Sequence, residues 1–181
     1  MAVLDSGEVI GSVSGGCVEG AIHEASLEVL KTKIPQVVTY GVSDDNAFSV
    51  GLTCGGTIEL FIQYVDKHTF PHFDQVAKSI EDKKAVGVAT LVAGNSNVGT
   101  RIVLTKNDSH GSLRNEQLDF AAIEGARALL MHGTTKTLKL GPQGENRMDD
   151  LSIFVESFAP APRMIIFGAI DFAAAEIRKL I

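Results

Sequence analysis

Cysteine is scarce in this chain, occurring only as Cys17 and Cys54 among 181 residues. Two thiols are too few for a secreted disulfide framework, and their spacing fits neither a zinc ribbon nor a C-x-x-C redox pair. Clustered basic charge is missing as well: 16 Lys and Arg stand against 22 Asp and Glu, for a net charge of −6 and a pI near 5.3. Nucleic acid and acidic lipid both require a field of gathered cations, so neither is an expected partner. No apolar run approaches the roughly 20 residues of a spanning helix. The start, Met1-Ala2-Val3-Leu4-Asp5, has no basic region followed by an apolar stretch. A cytoplasmic protein without membrane contact is therefore expected. Internal repeats and low-complexity tracts are also lacking.

What remains is a chain with 45% hydrophobic residues, enough to bury one substantial core. Ala2-Val3-Leu4 and Val9-Ile10 read as a hairpin around the turn Asp5-Ser6-Gly7-Glu8. Val18, Ile22, Ala25 and Val29 recur at helical spacing and predict a helix of about 14 residues that stops before Pro35. Val37 to Tyr40 reads as a strand, and a glycine loop at Gly51 to Gly56 leads to a second strand carrying Ile58, Leu60, Ile62 and Tyr64. Phe73, Val76, Ala77 and Ile80 mark a second helix. Ala85 to Val92 and Arg101 to Thr105 predict a hairpin, and Leu118, Ala122, Gly125 and Leu129 a third helix. Strands at Thr135 to Leu138 and Leu151 to Glu156 follow, separated by a polar loop.

The expected fold is α/β: a mixed sheet with helices, followed by the first strand and helix of a Rossmann-like unit. Residues 1–158 form the main domain. Residues 159–162, Ala-Pro-Ala-Pro, form a linker, because two prolines in three positions favour extended backbone. Residues 163–181 open a new unit with the apolar run Met164 to Phe167. One strand and one helix cannot bury a core, so this arm is expected to dock on the main domain or on a second copy.

The stretch Gly11-Ser12-Val13-Ser14-Gly15-Gly16-Cys17-Val18-Glu19 sets small, flexible residues where a strand ends and a helix begins. Such a junction offers backbone N–H donors and the positive end of the helix dipole, a setting for an anion. Ser12 and Ser14 add hydroxyls, and the same field favours the thiolate of Cys17. A tight turn with a small buried thiol accounts for this segment equally well. The second segment, Leu52-Thr53-Cys54-Gly55-Gly56, again sets a cysteine beside paired glycines. Ser12, Ser14, Gly15, Gly16, Cys17, Thr53, Cys54, Gly55 and Gly56 are thus the candidate ligand-binding residues, with Cys17 and Cys54 as soft-metal ligands. Both loops are expected to open onto one shared surface.

These two stretches, with Tyr40-Gly41-Val42-Ser43-Asp44-Asp45 between them, resemble the signature of the XdhC/CoxI family. The resemblance resumes past the prolines at Ile165-Ile166-Phe167-Gly168-Ala169, where that family's Rossmann-like domain begins. It implies an accessory protein that binds molybdenum cofactor (molybdopterin), protects it during sulfuration and delivers it to a molybdenum hydroxylase such as xanthine dehydrogenase. A sulfur-donating desulfurase is implied with it. A homodimer is expected on other grounds, and with it a third reading as an interaction module, because truncation at both ends would leave unpaired sheet edges and apolar surface. Against the family's usual extent the chain reads as a fragment truncated at both ends, lacking part of the N-terminal domain.

Alternatives of other classes are an NAD(P)-dependent oxidoreductase and a thiol-based redox catalyst. The first is disfavoured by Ile170, which occupies the close-approach position of a G-x-G-x-x-G/A turn and should obstruct a pyrophosphate. The second lacks a nearby resolving cysteine. Asp44 and Asp45 read mainly as solvated loop acids. Glu19 reads as stabilising the first helical turn rather than as a general base. His68 and His72, four apart, are expected to be a solvated pair at a helix start, since no further metal ligand accompanies them. Arg101, Arg114 and Arg127 are expected at the solvated surface, nothing in their spacing bringing them together.

Overall fold

The computed structural model describes residues 1–41, 56–94 and 97–161. The expected arm at 163–181, with Ile170, lies outside the described residues, as does the loop carrying Asp44, Asp45, Thr53, Cys54 and Gly55.

The chain opens with the expected hairpin, β1 (Ala2–Val3) against β2 (Val9–Ile10). Helix α1 (Glu19–Thr32) follows, burying Ile22 and Val29 and ending at Lys33 in the left-handed conformation. It packs against β1 and β4. Strands β3 (Gln36–Tyr40) and β4 (Ile58–Ile62) form a separate antiparallel pair in which Tyr40 faces Ile58. The segment between them therefore leaves and returns at neighbouring points.

The second half of the chain is built on a five-stranded sheet. Helix α2 (Phe73–Glu81) precedes strands β5 (Val86–Ala93), β6 (Arg101–Leu104) and β7 (Ser109–Ser112). Helix α3 (Glu116–Met131) and strands β8 (Lys136–Leu140) and β9 (Leu151–Phe158) complete it. The spatial order is β7-β6-β5-β9-β8, and every described pairing is antiparallel. The α/β class is as expected. Strand β7 was not expected: Ser-His-Gly-Ser carries no apolar or β-branched residue, and it is an edge strand held by its backbone pairing with β6.

Alternation along the strands divides the sheet into two faces. Ala89, Leu91, Ile102, Leu104, Ile153 and Val155 point to α3, where Leu118, Ala122, Ala126 and Leu130 complete the larger core. Gly125 allows α3 to approach closely, since a Cβ there would stand 2.7 Å from Leu138 Cδ1. The opposite face presents Val86, Val88 and Val103 to Phe70 and to Val76 of α2. Among the described residues no helix is long and apolar enough to cross a membrane.

Helix α3 is capped by Asn115, whose side chain accepts a hydrogen bond from the Leu118 amide at 3.0 Å. Asp119 reaches back to the Leu113 amide at 2.6 Å. Asn115→Ala should therefore cost about 1 kcal/mol, the ordinary effect of losing such a cap. Urea denaturation tests this, and an unchanged midpoint would show that the cap contributes nothing to global stability.

Candidate functional site

The glycine-serine loop between β2 and α1 is folded around a residue of the chain itself. Positive φ angles at Gly11 (79°), Gly15 (77°) and Gly16 (116°) turn successive amides inward. At Gly15 and Gly16 it is this backbone conformation, not crowding, that calls for glycine, because a Cβ at either would meet nothing. The Glu19 carboxylate occupies the centre. Its Oε1 accepts from Ser12 Oγ at 2.6 Å, Ser14 N at 2.8 Å, and Val13 N and Gly15 N at 3.1 Å. Its Oε2 accepts from Ser14 Oγ and Gly16 N at 2.8 Å and from Val18 N at 3.2 Å.

Donors converging on a carboxylate favour its ionised form. The Ser12 hydroxyl, followed by the Ser14 amide and hydroxyl, holds the Glu19 carboxyl far below the usual carboxylate range, with partial burial opposing. The serines also brace the loop internally: Ser12 Oγ accepts from Gly15 N, and Ser14 Oγ from Cys17 N and Val18 N, each at 3.1 Å. Val18, fully buried, anchors the start of α1 beneath them.

The anion-friendly character read from this segment is therefore real, but the anion is internal. The amides of Gly15 and Gly16, expected to face a ligand, are engaged by Glu19. Cys17 is a free, half-buried thiol immediately before the helix. Of the second loop, Gly56 is described and exposed. The expected sharing of one surface by Cys17 and Cys54 lies outside the described residues. Tyr40, at the end of β3, lies near enough to α1 that, after burial, the charge of Glu24 is the second cause raising its phenol.

The remaining candidates separate clearly. His72 immediately precedes α2 and stacks on His110 with ring centroids 5.2 Å apart, and His68 is exposed in the preceding turn. No group of metal-binding side chains occurs among the described residues. Arg101 corrects the expectation of a solvated surface: it is only 9% exposed. Its guanidinium lies 4.2 Å from the Phe70 ring centre and donates to Gln63 Oε1 and, at 3.1 Å, to the Gly99 carbonyl. Arg114 is exposed, and Arg127 sits on α3 with Glu124 at 3.7 Å.

An α/β protein whose first helix starts from a glycine-serine-cysteine loop closed on its own glutamate is the class these features define. Residues 1–41 match the XdhC and CoxI family. A Bacillus subtilis protein described as a probable xanthine dehydrogenase component is 24% identical over 171 residues, which is 93% of this chain and 46% of that protein. YqeB of Escherichia coli, described as uncharacterized, is 34% identical over 62 residues, 34% of this chain and 12% of its own length. A crystal structure from Bacillus halodurans, titled as a xanthine dehydrogenase, superposes with a TM-score of 0.61 at 17% identity. It covers 89% of this chain and 43% of that one, and shows the likeness of fold. The likeness to the XdhC and CoxI family thus rests on the first 41 residues, and the chain spans less than half the length of the relatives it matches.

Proposed function

We propose that this chain is part of an accessory protein in the maturation of a xanthine-dehydrogenase-type molybdenum hydroxylase, binding molybdenum cofactor while it is sulfurated and passed on. The observation that carries the reading is the match of residues 1–41 to the XdhC and CoxI family, a stretch that contains the whole Glu19-centred loop. The sulfur donor, a desulfurase, and a homodimeric state belong to the same proposal.

The residues fit the cofactor in one respect and not in another. With the amides of Gly15 and Gly16 donating to Glu19, they do not hold the phosphate or oxo groups of a ligand in this conformation. The Cys17 thiol is half exposed and bears no competing bond on sulfur among the described residues, so it is the soft donor available to a molybdenum or its terminal sulfur. When bound, the cofactor would supply the metal and dithiolene chemistry that the client uses. This chain's part is to present Cys17 from a rigid turn, with Glu19 fixing the backbone on either side of it.

Cys17→Ser, made in the full-length protein and co-expressed with an active cofactor pathway, should change stability by less than about 1 kcal/mol. It should lower retained molybdopterin, measured by mass spectrometry and metal analysis, by on the order of tenfold or more. Cys54→Ser tests the second loop in the same way. Normal cofactor content and client activation in both variants would remove thiol binding from the proposal. The oxidoreductase alternative would gain instead from sub-millimolar binding of NAD or NADP in a calorimetric titration.

A further inference from the structure

A second site stands apart from the cysteine loop. Between the end of β4, the turn before α2 and the β6–β7 edge lies a cleft of about 570 Å³, within the size range of small-molecule sites. Lys33, Arg101 and Arg114 line it together with His68 and His72, and no Asp or Glu is among the described lining residues. In a chain of net charge −6, three permanent cations gathered without a lining carboxylate form a local positive field.

Arg101 is prepared for an anion rather than merely left near one. It is nine-tenths buried and held from below by the Phe70 ring, and two of its hydrogen bonds go to neutral acceptors, Gln63 Oε1 and the Gly99 carbonyl. Its Nε is buried with no partner among the described residues, a costly state for a charged donor. Glu156 acts on it through space, and no ion pair joins the two among the described residues. Gly111, at φ 96°, lets β7 lie directly on the Arg101 carbonyl, so that Ser112 and Arg114 follow at the rim. Lys33 rests with its ammonium 3.3 Å from the Tyr64 ring centre, an interaction weak enough at an exposed site to yield to an anion.

We propose that this cleft binds a phosphate group, either as the free inorganic ion or as the terminal phosphate of a small organic ester, with Arg101 as the fixed donor and Arg114 and Lys33 as mobile cations closing over it. The guanidinium fork suits phosphate oxygens better than a point charge does. Because Phe70 and Tyr64 already carry cations on their faces, the phosphate, not a stacked ring, is what the cleft reads. This site stands independently of the accessory-protein reading.

The test is a titration of this chain with inorganic phosphate, glycerol phosphate and adenosine monophosphate, followed by ³¹P NMR and calorimetry, with ionic strength held by chloride. Saturable binding at or below about 1 mM is expected. Arg114→Gln, a change at an exposed side chain, and Arg101→Lys, which keeps the charge but loses the fork, should each weaken binding about tenfold. Arg127→Gln, on α3 and outside the cleft, should leave it unchanged. Circular dichroism and thermal melting establish that each variant is folded, and Arg114→Gln carries the test should Arg101→Lys not fold. Similar affinities for all three probes would mean that the bare phosphate group is read. Tenfold tighter binding of one ester would identify an organic phosphate as the ligand. Binding that does not saturate by about 10 mM, or that is as strong in Arg114→Gln as in the parent, overturns the proposal.

Discussion

Replacing Glu19 with alanine should release the loop at 11–18 while leaving the five-stranded sheet intact. One carboxylate receives seven of the loop's hydrogen bonds, five from backbone amides and two from serine hydroxyls. Its removal leaves the Val13, Ser14 and Gly16 amides to water, and the loop with only the Ser12 and Ser14 hydroxyls to brace it. Amide hydrogen exchange at Ser14, Gly15 and Gly16 should quicken by on the order of tenfold or more, with exchange at β5 and β9 unchanged. Acidity provides a second reading. The Glu19 carboxyl titrates below its ordinary value near 4.5. A group depressed in the folded state contributes fully above its unfolded pKa and loses that contribution as pH falls through the folded one. Loop protection should accordingly be constant from neutral pH down to about 4.5 and fall only in more acidic solution. Glu19→Gln, which keeps the shape but never ionises, should lack that decline. Unaltered exchange in Glu19→Ala would mean that the loop is organised by something other than this side chain.

Leu91→Ala should be among the most damaging substitutions in the described chain. Leu91 is fully buried on β5, the central strand, on the face covered by α3. Truncating such a leucine removes its transfer free energy and leaves a cavity, together about 2–5 kcal/mol, against a total of about 5–15 kcal/mol for an ordinary domain. Met131→Ala, at the far end of α3 where the side chain is 82% exposed, should change stability by no more than about 0.5 kcal/mol. Chemical denaturation of the pair checks both. Equal effects would mean that α3 does not seal the sheet as described.

The helices were legible because their apolar residues recur at one period: Ile22, Val29, Leu118 and Ala122 are buried where that spacing places them, although the inward row of α3 continues through Ala126 and Leu130 rather than Gly125 and Leu129, and Phe73 and Ile80 of α2 are exposed. Strand β5 announced itself through a run of apolar and β-branched residues broken only by Gly87, and β9 through the apolar stretch Ile153 to Val155. Strand β7 did not, because pairing at a sheet edge requires only backbone groups, and its sequence reads like a loop. The cysteine loop was recognisable as a place suited to an anion, since small residues before a helix leave backbone N–H groups free, although a plain tight turn fitted the same residues equally well. That the anion is Glu19 was hidden, because the same residue is an unremarkable helix-start acid until the chain is seen to fold back on it. The cationic cleft was invisible for a different reason. Lys33, Arg101 and Arg114 come from a helix end, a strand start and a turn; the β6–β7 pairing sets Arg114 near Arg101, and tertiary packing brings the end of α1 to the same cleft.

The place of β9 in the sheet also bears on how the protein is made. The last described strand is the one inserted between β5 and β8, with Val86 paired to Phe158 and Leu140 to Leu151. During synthesis the β5-β6-β7 meander emerges first and can pair through local turns, but the free side of β5 waits for residues that leave the ribosome after the rest of the sheet. Until then β5 is an open edge, its row of backbone donors and acceptors unmatched, and β8 has no neighbour in the sheet at all. The nascent chain therefore passes through a vulnerable interval with its most apolar strand unpaired on one side. A ribosome stalled before β9 begins at Leu151 would present to chaperones and proteases a sheet whose β5–β6–β7 half and β8 are still unjoined.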